Sequence, residues 1–135
     1  MTMLEVVIVL FLVALCSVMA IPRYAAFHDR LAARGAASLL TRALLDARHL
    51  AWRLGTRTAV RVDTAAASVT VQDAGGPIAR HDLQSLFGVS VGATRDSVAY
   101  LPDGLGFGAS NARFIVARGA AAETVTVSRI GRVRR

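Results

Sequence analysis

The hydrophobic pattern changes character twice along the chain. From Val6 to Ile21 the sequence VVIVLFLVALCSVMAI has no charge and no polar face beyond Ser17. Uniform apolarity of this kind marks a helix that is surrounded on all sides. Three readings compete for it. A secretory signal needs a positive n-region, yet no basic residue precedes Arg23 and the one early charge is Glu5. A buried core helix would show a polar face, which this run lacks. A membrane helix fits the composition. The uncharged run covers only about 24 Å at ~1.5 Å per residue, against a hydrocarbon core of ~30 Å. Adding Met1–Leu4 supplies the length, and brings Glu5 into the span.

Beyond Pro22, which lacks a donor N–H and should bend or interrupt a helix, the period of 3.6 appears. Leu40, Leu44, Ala47, Ala51 and Leu54 recur at spacings of four and three, with Arg42, Asp46, Arg48 and Arg53 mostly off that stripe. This predicts an amphipathic helix ending at Gly55, a residue suited to the left-handed C-cap. Gly35 weakens its middle by about 1 kcal/mol relative to Ala. After Gly55 the period falls to about 2. RTAVRVD and SVTVQD read as a hairpin turned by residues 64–67, and DAGGP (73–77) is a turn cluster. IARHDLQSL alternates weakly. VSVG, SVAYL, RFIVAR and ETVTVSRI predict further short strands, with LPDG (101–104) a turn and ASNAR and RGAAAE loops. Strands following one long helix predict an α+β fold with an antiparallel sheet packed on the amphipathic stripe. The organisation expected is a hydrophobic transmembrane or filament-core helix over 1–22, its amphipathic continuation over 23–55, and an antiparallel β-domain with a basic tail over 56–135.

Composition adds a few bounds. The 135 residues carry a formal charge of +7, and all sixteen basic residues are arginine. Removing the apolar segment leaves about 113 residues, enough for one core without disulfides. The single cysteine, Cys16, rules out an intrachain disulfide. The positive balance favours polyanionic partners and says nothing about fold. Its distribution is uneven: Arg129, Arg132, Arg134 and Arg135 crowd the last seven residues, and no acid follows Glu123.

An acid inside a membrane span costs roughly 2.5–3.5 kcal/mol even on lenient scales, so Glu5 calls for a partner. No basic side chain lies within a helical turn or two of it; the nearest cation is the α-amino group of Met1. Within one straight helix that amine aims poorly, and the amine of a neighbouring copy approaches better. MTMLEVVIVLFLVALCSVMAIPRY resembles the N-terminus of a mature type IV pilin or pseudopilin, matching at Met1, Thr2, Glu5 and Pro22 over about 24 residues. The resemblance implies a cytoplasmic leader ending in Gly, removed by prepilin peptidase, which then methylates the amine of Met1. It also implies an inner-membrane, single-pass subunit with a periplasmic C-terminal domain. Such a subunit assembles with other pilin or pseudopilin subunits through its helix, Glu5 neutralising the next subunit's amine and Pro22 kinking the helix.

DARHLAWRLGTRTAV, YLPDGLGFG and the closing SRIGRVRR resemble the GspH/FimT group of minor pseudopilins and minor pilins, whose members carry a long helix on an antiparallel β-domain. The resemblance implies a non-catalytic subunit of a type II secretion pseudopilus or a type IV pilus, with no cofactor. The residues agree in offering no active site. His28, His49 and His81 are far apart in sequence and form no metal-ligand pair with Cys16 or an acid. Asp73 and Asp103 sit beside glycines with too few oxygen ligands for calcium, and read as turn residues.

GRVRR is the remaining candidate. Arginine forks bind phosphate bidentately, and three of them at a mobile terminus would neutralise two or three phosphates. In FimT minor pilins a C-terminal Gly-Arg-x-Arg is associated with DNA binding, and Gly131, Arg132 and Arg134 match it. Two readings stay open. In one, Arg129, Gly131, Arg132, Arg134 and Arg135 bind DNA during uptake. In the other, they form a solvated basic tail or a Gly-Arg turn that caps the last strand.

Overall fold

The computed structural model describes residues 2–108 and 110–135. Helix α1 spans Met3–Leu54, 52 residues opened by Thr2 and closed by Gly55 in the left-handed conformation (φ 64°). It runs through Pro22 without interruption, although the proline removes one donor from its ladder. The two halves live in different surroundings. No described residue before Ala32 is buried, whereas Ala32, Ala33, Ala36, Ala37, Leu40, Ala43, Leu44, Ala47 and Ala51 form one buried stripe. Seven of those nine are alanines, whose small side chains let the sheets come close to the helix axis. Leu54, expected on the stripe, is exposed, because the chain turns away at Gly55 before another turn can be covered.

The antiparallel domain divides into two four-stranded sheets. The first has the order β3-β2-β1-β5, from β1 (Thr58–Asp63), β2 (Ser68–Asp73), β3 (Gly76–Asp82) and β5 (Ser97–Tyr100). The second has the order β4-β6-β7-β8, from β4 (Ser90–Ala93), β6 (Ala112–Arg118), β7 (Ala121–Val127) and β8 (Val133–Arg134). The β1–β2 hairpin closes as predicted, pairing Asp63 with Ser68. The Asp63 carboxylate accepts from the Ala65 and Ala66 amides, and these bonds lower its pKa. IARHDLQSL proves composite: β3 ends at Asp82, which caps the five-residue helix α2 (Leu83–Phe87) by accepting from Ser85 N–H at 2.9 Å. The predicted loop RGAAAE is mostly strand, since β7 already begins at Ala121.

Both sheets turn one face toward the stripe. Val60, Val62, Val69, Val71 and Val98 come from the first sheet, and Val91, Phe114, Val116, Val125 and Val127 from the second. Together with Leu40, Leu44, Leu83 and Tyr100 they make one core. Full burial of a Val, Leu or Phe side chain contributes roughly 1.5–3 kcal/mol. Gly35 has a packing reason: a Cβ there would stand 2.7 Å from the Phe87 ring, so α2 rests directly on the helix backbone. Two ion pairs tie α1 to the second sheet, Arg34–Glu123 at 3.2 Å and Arg118–Asp29 at 3.0 Å.

Candidate functional sites: the bare helix and the arginine edge

The first candidate is the N-terminal half of α1. Its most apolar window has a mean hydropathy of 2.9, and none of that window is buried within the molecule. Met3–Ile21 measures about 28 Å at ~1.5 Å per residue, close to a hydrocarbon core of ~30 Å. Its one interior hydroxyl is satisfied locally, Ser17 Oγ donating to the Val13 carbonyl at 2.8 Å. The helix is therefore long and apolar enough to cross a membrane.

Glu5 has a local role at the helix start that does not depend on a distant cation. It is the third residue of a capping box: Thr2 Oγ1 accepts from Glu5 N–H at 3.3 Å, and the Glu5 carboxylate accepts from Thr2 N–H at 3.4 Å. Two of the orphan donors at the helix start are thereby met, and the negative charge lies at the positive end of the helix dipole. The signal was present in the sequence as Thr2-Met3-Leu4-Glu5, the T-x-x-E pattern. Met1, the expected processing and methylation residue, lies outside the described residues.

The second candidate is the C-terminus, which is folded onto the second sheet. β8 pairs with β7 through Val127↔Val133 and Thr126↔Arg134. Between them Ser128 N–H donates to the Arg132 carbonyl at 2.9 Å, Gly131 N–H to the Ser128 carbonyl at 2.9 Å, and Arg132 N–H to Ser128 Oγ at 3.1 Å. The half-buried Val133 flanks the core, and the Arg135 guanidinium donates to Ser38 Oγ on α1 at 2.6 Å. Ladder bonds and an apolar anchor hold the segment as a Gly-Arg turn leading into a paired strand, one of the two forms left open for a segment without DNA.

Gly131 is buried and adopts φ 76°, and a Cβ on it would stand 2.7 Å from the Gly104 carbonyl oxygen. Only glycine fits both the conformation and the gap. Its carbonyl accepts from Arg48 Nη1 at 3.4 Å. Gly131 thus works inside the fold, shaping the turn. The Pro-Asp-Gly loop beneath it is held by Gly104 N–H donating to the Leu101 carbonyl at 2.9 Å and Leu105 N–H to Asp103 Oδ1 at 2.9 Å. The three stretches singled out in the sequence therefore meet at one place: Arg48 on α1, the loop at 101–106, and the turn at 128–132. Tyr100 packs beneath them, its hydroxyl buried without a hydrogen-bond partner among the described residues, and burial raises its pKa to about 12.

The side chains of Arg129, Arg132, Arg134 and Arg135 are all exposed. Neither ion pair found among the described residues involves them. Arg132 and Arg134 line a shallow groove of about 300 Å³ with Thr126, Val127, Ser128 and Ile130. The histidines behave differently from expectation in one respect: His49 and His81 line one groove of about 490 Å³, with Asp46, Trp52 and Arg53. No group of three His, Cys, Asp or Glu side chains among the described residues is placed to hold a metal ion.

Neither a protein-family model nor a curated protein matches the chain. Solved structures do. The type IV minor pilin FimU of Pseudomonas aeruginosa superposes with a TM-score of 0.66 at 16% identity, over 80% of this chain and 90% of that one. The minor pseudopilin EpsH of the Vibrio cholerae type 2 secretion system superposes with a TM-score of 0.61 at 17% identity, over 76% of this chain and 94% of that one. At such identities the likeness is one of fold, and its extent leaves little of either neighbour unmatched. The long helix with its bare apolar half, and the two antiparallel sheets on its other half, make this chain type IV pilin-like in fold.

Proposed function

We propose that the chain is a non-catalytic minor pilin or pseudopilin, a subunit of a type IV filament machine of the pilus or secretion kind, assembling through the N-terminal half of α1. One observation carries this reading: a helix of 52 residues leaves its whole apolar first half uncovered while its second half is core. Exposed apolar surface on that scale needs a lipid or protein partner. Before assembly the partner is the inner membrane, with the β-domain on the periplasmic side; in the filament it is the helices of neighbouring subunits. Glu5 then neutralises the α-amine of the next subunit, Met1 is the residue exposed and methylated by prepilin peptidase, and Pro22 gives the helix a point of bending. The capping box makes a sharp test possible. Glu5→Gln keeps the box, which accepts Glu or Gln, and removes the charge; Glu5→Ala removes both. Incorporation into filaments fails in both variants if the charge pairs with an amine, and is normal for Glu5→Gln if the carboxylate serves only as a cap.

A second reading rests on a separate observation, four exposed arginines presented at the edge of the second sheet with no acidic partner among the described residues. In this reading Arg129, Arg132, Arg134 and Arg135 bind DNA phosphates and the subunit serves DNA uptake. Phosphate contacts of this kind give sequence-independent affinity that falls steeply with salt, each contributing a slope of about −0.9. Arg132→Gln with Arg134→Gln would lower both affinity and slope. Salt-independent binding, or no binding at low salt, would remove the reading.

A further inference from the structure

We propose that Arg113, on β6, completes a phosphate-binding face with Arg132 and Arg134, so that the site is a preformed patch of sheet rather than a terminal peptide. The inference rests on the second reading above and extends it to a residue some twenty positions upstream. Arg113 pairs across the ladder with Thr126, and Thr126 pairs in turn with Arg134. Residues directly opposite one another on adjacent strands point to the same side of a sheet. The neighbours Ala112 and Phe114 are buried, which puts Arg113 on the outer face, where Thr126 and Arg134 also lie. Arg113 and Arg134 are two strand spacings apart, about 10 Å between backbones, and Arg132 stands two residues before Arg134, at most about 7 Å away, at the end of the turn that leads into β8. Thr126 stands between the two outer arginines as a further polar contact.

Two features make this a site rather than a scatter of charges. The outer face carries no acid: the one acidic residue of β6 and β7, Glu123, pairs with Arg34 of α1. The backbone beneath Arg113 is also pinned, its N–H donating to Thr94 Oγ1 at 2.9 Å and its carbonyl accepting from Thr94 N–H at 3.0 Å. Guanidinium groups mounted on a rigid ladder lose less entropy on binding than those of a flexible tail.

Position decides between the phosphates of nucleic acid and those of the membrane in which the helix is proposed to sit. Arg135 contacts Ser38, and Ser38 lies about 26 Å along the helix beyond Ile21 at ~1.5 Å per residue. The headgroup layer extends only about 7 Å beyond the hydrocarbon, and the Debye length at physiological salt is about 8 Å. The arginine face therefore stands clear of the bilayer surface and suits the backbone of duplex DNA.

The test uses the full chain in non-ionic detergent and a mixed-sequence DNA duplex, with affinity followed by fluorescence anisotropy across a salt series. Arg113→Gln should reduce the salt slope by about 0.9 and weaken binding about eightfold at 0.1 M salt. Arg113→Lys should retain the slope, and Arg61→Gln, in the first sheet, should match the unaltered chain. If Arg132→Gln with Arg134→Gln weakens binding while Arg113→Gln does not, the tail alone binds and the inference is overturned with the DNA reading intact. Equal losses for Arg113→Gln and Arg61→Gln overturn it as well, since binding is then diffuse. No binding by the unaltered chain at low salt overturns both.

Discussion

Gly131→Ala separates a docked C-terminal turn from a loose one. The alanine must hold φ near 76°, which costs roughly 1–2 kcal/mol for a residue with a Cβ. Its Cβ must also fit 2.7 Å from the Gly104 carbonyl oxygen, a backbone atom that cannot swing aside. Overpacking of this kind costs about 1–3 kcal/mol, so the expected loss is about 2–5 kcal/mol. Gly55→Ala supplies the comparison, because Gly55 has a similar φ of 64° and nothing within 4 Å of its would-be Cβ. It should cost the conformational part alone, roughly 1–2 kcal/mol. The assay is urea unfolding of a fragment covering 23–135, which keeps every buried residue, with hydrogen exchange read at the Ser128, Gly131 and Arg132 amides. Gly131→Ala should lower the midpoint well below that of Gly55→Ala and expose those amides. A midpoint within the spread of ordinary surface substitutions, about 0.5 kcal/mol, with unchanged exchange would refute the docked turn.

Gly35→Ala should destabilise the domain by up to about 2 kcal/mol, an overpacking cost of about 1–3 where the new methyl meets the Phe87 ring at 2.7 Å less the helix-propensity gain of about 1; a stabilised variant in thermal unfolding would contradict that packing. Tyr100 holds its proton in the fold to about pH 12 and loses it near pH 10 when unfolded. The native state therefore binds more protons over that window, and stability falls as pH rises from about 10 to 12, by up to about 1.4 kcal/mol per unit. Tyr100→Phe should abolish that part of the loss and, by removing a buried hydroxyl without a partner, should not destabilise the domain at neutral pH. Equal pH profiles for the two proteins, measured by chemical unfolding between pH 9 and 12, would show that the hydroxyl is not buried as described. Glu5→Gln should fail in filament incorporation as Glu5→Ala does, read by recovery in sheared filaments; normal incorporation of Glu5→Gln would leave the carboxylate as a cap only.

What could be read in the sequence was what repeats locally. Leu40, Leu44, Ala47 and Ala51 announce the buried stripe by their spacing, and the β1–β2 hairpin follows from two alternating runs around a turn. The split into two sheets was not legible, because it depends on β5 choosing β1 and β4 choosing β6 across long stretches of chain. α2 is too short for periodicity, though Asp82 and Gly88 mark its ends. The two-residue β8 carries no pattern of its own, and so the sequence leaves GRVRR open between a solvated tail and a turn that caps the last strand. Of the arginine candidates, Arg132 and Arg134 were visible as a run, whereas Arg113 joins them only through strand register. Gly131 stood out as a motif residue, yet its work against Gly104 and Arg48 needed the fold to be seen.

The central claim is that the bare half of α1 is a subunit-binding surface. A photo-crosslinking residue placed at Leu12, exposed on that half, reads it directly in cells producing the filament. The account predicts adducts with the N-terminal helices of other filament subunits, and none from the same probe at Arg61 on the first sheet. Adducts with lipid alone at Leu12, while filaments assemble around the cell, would contradict it.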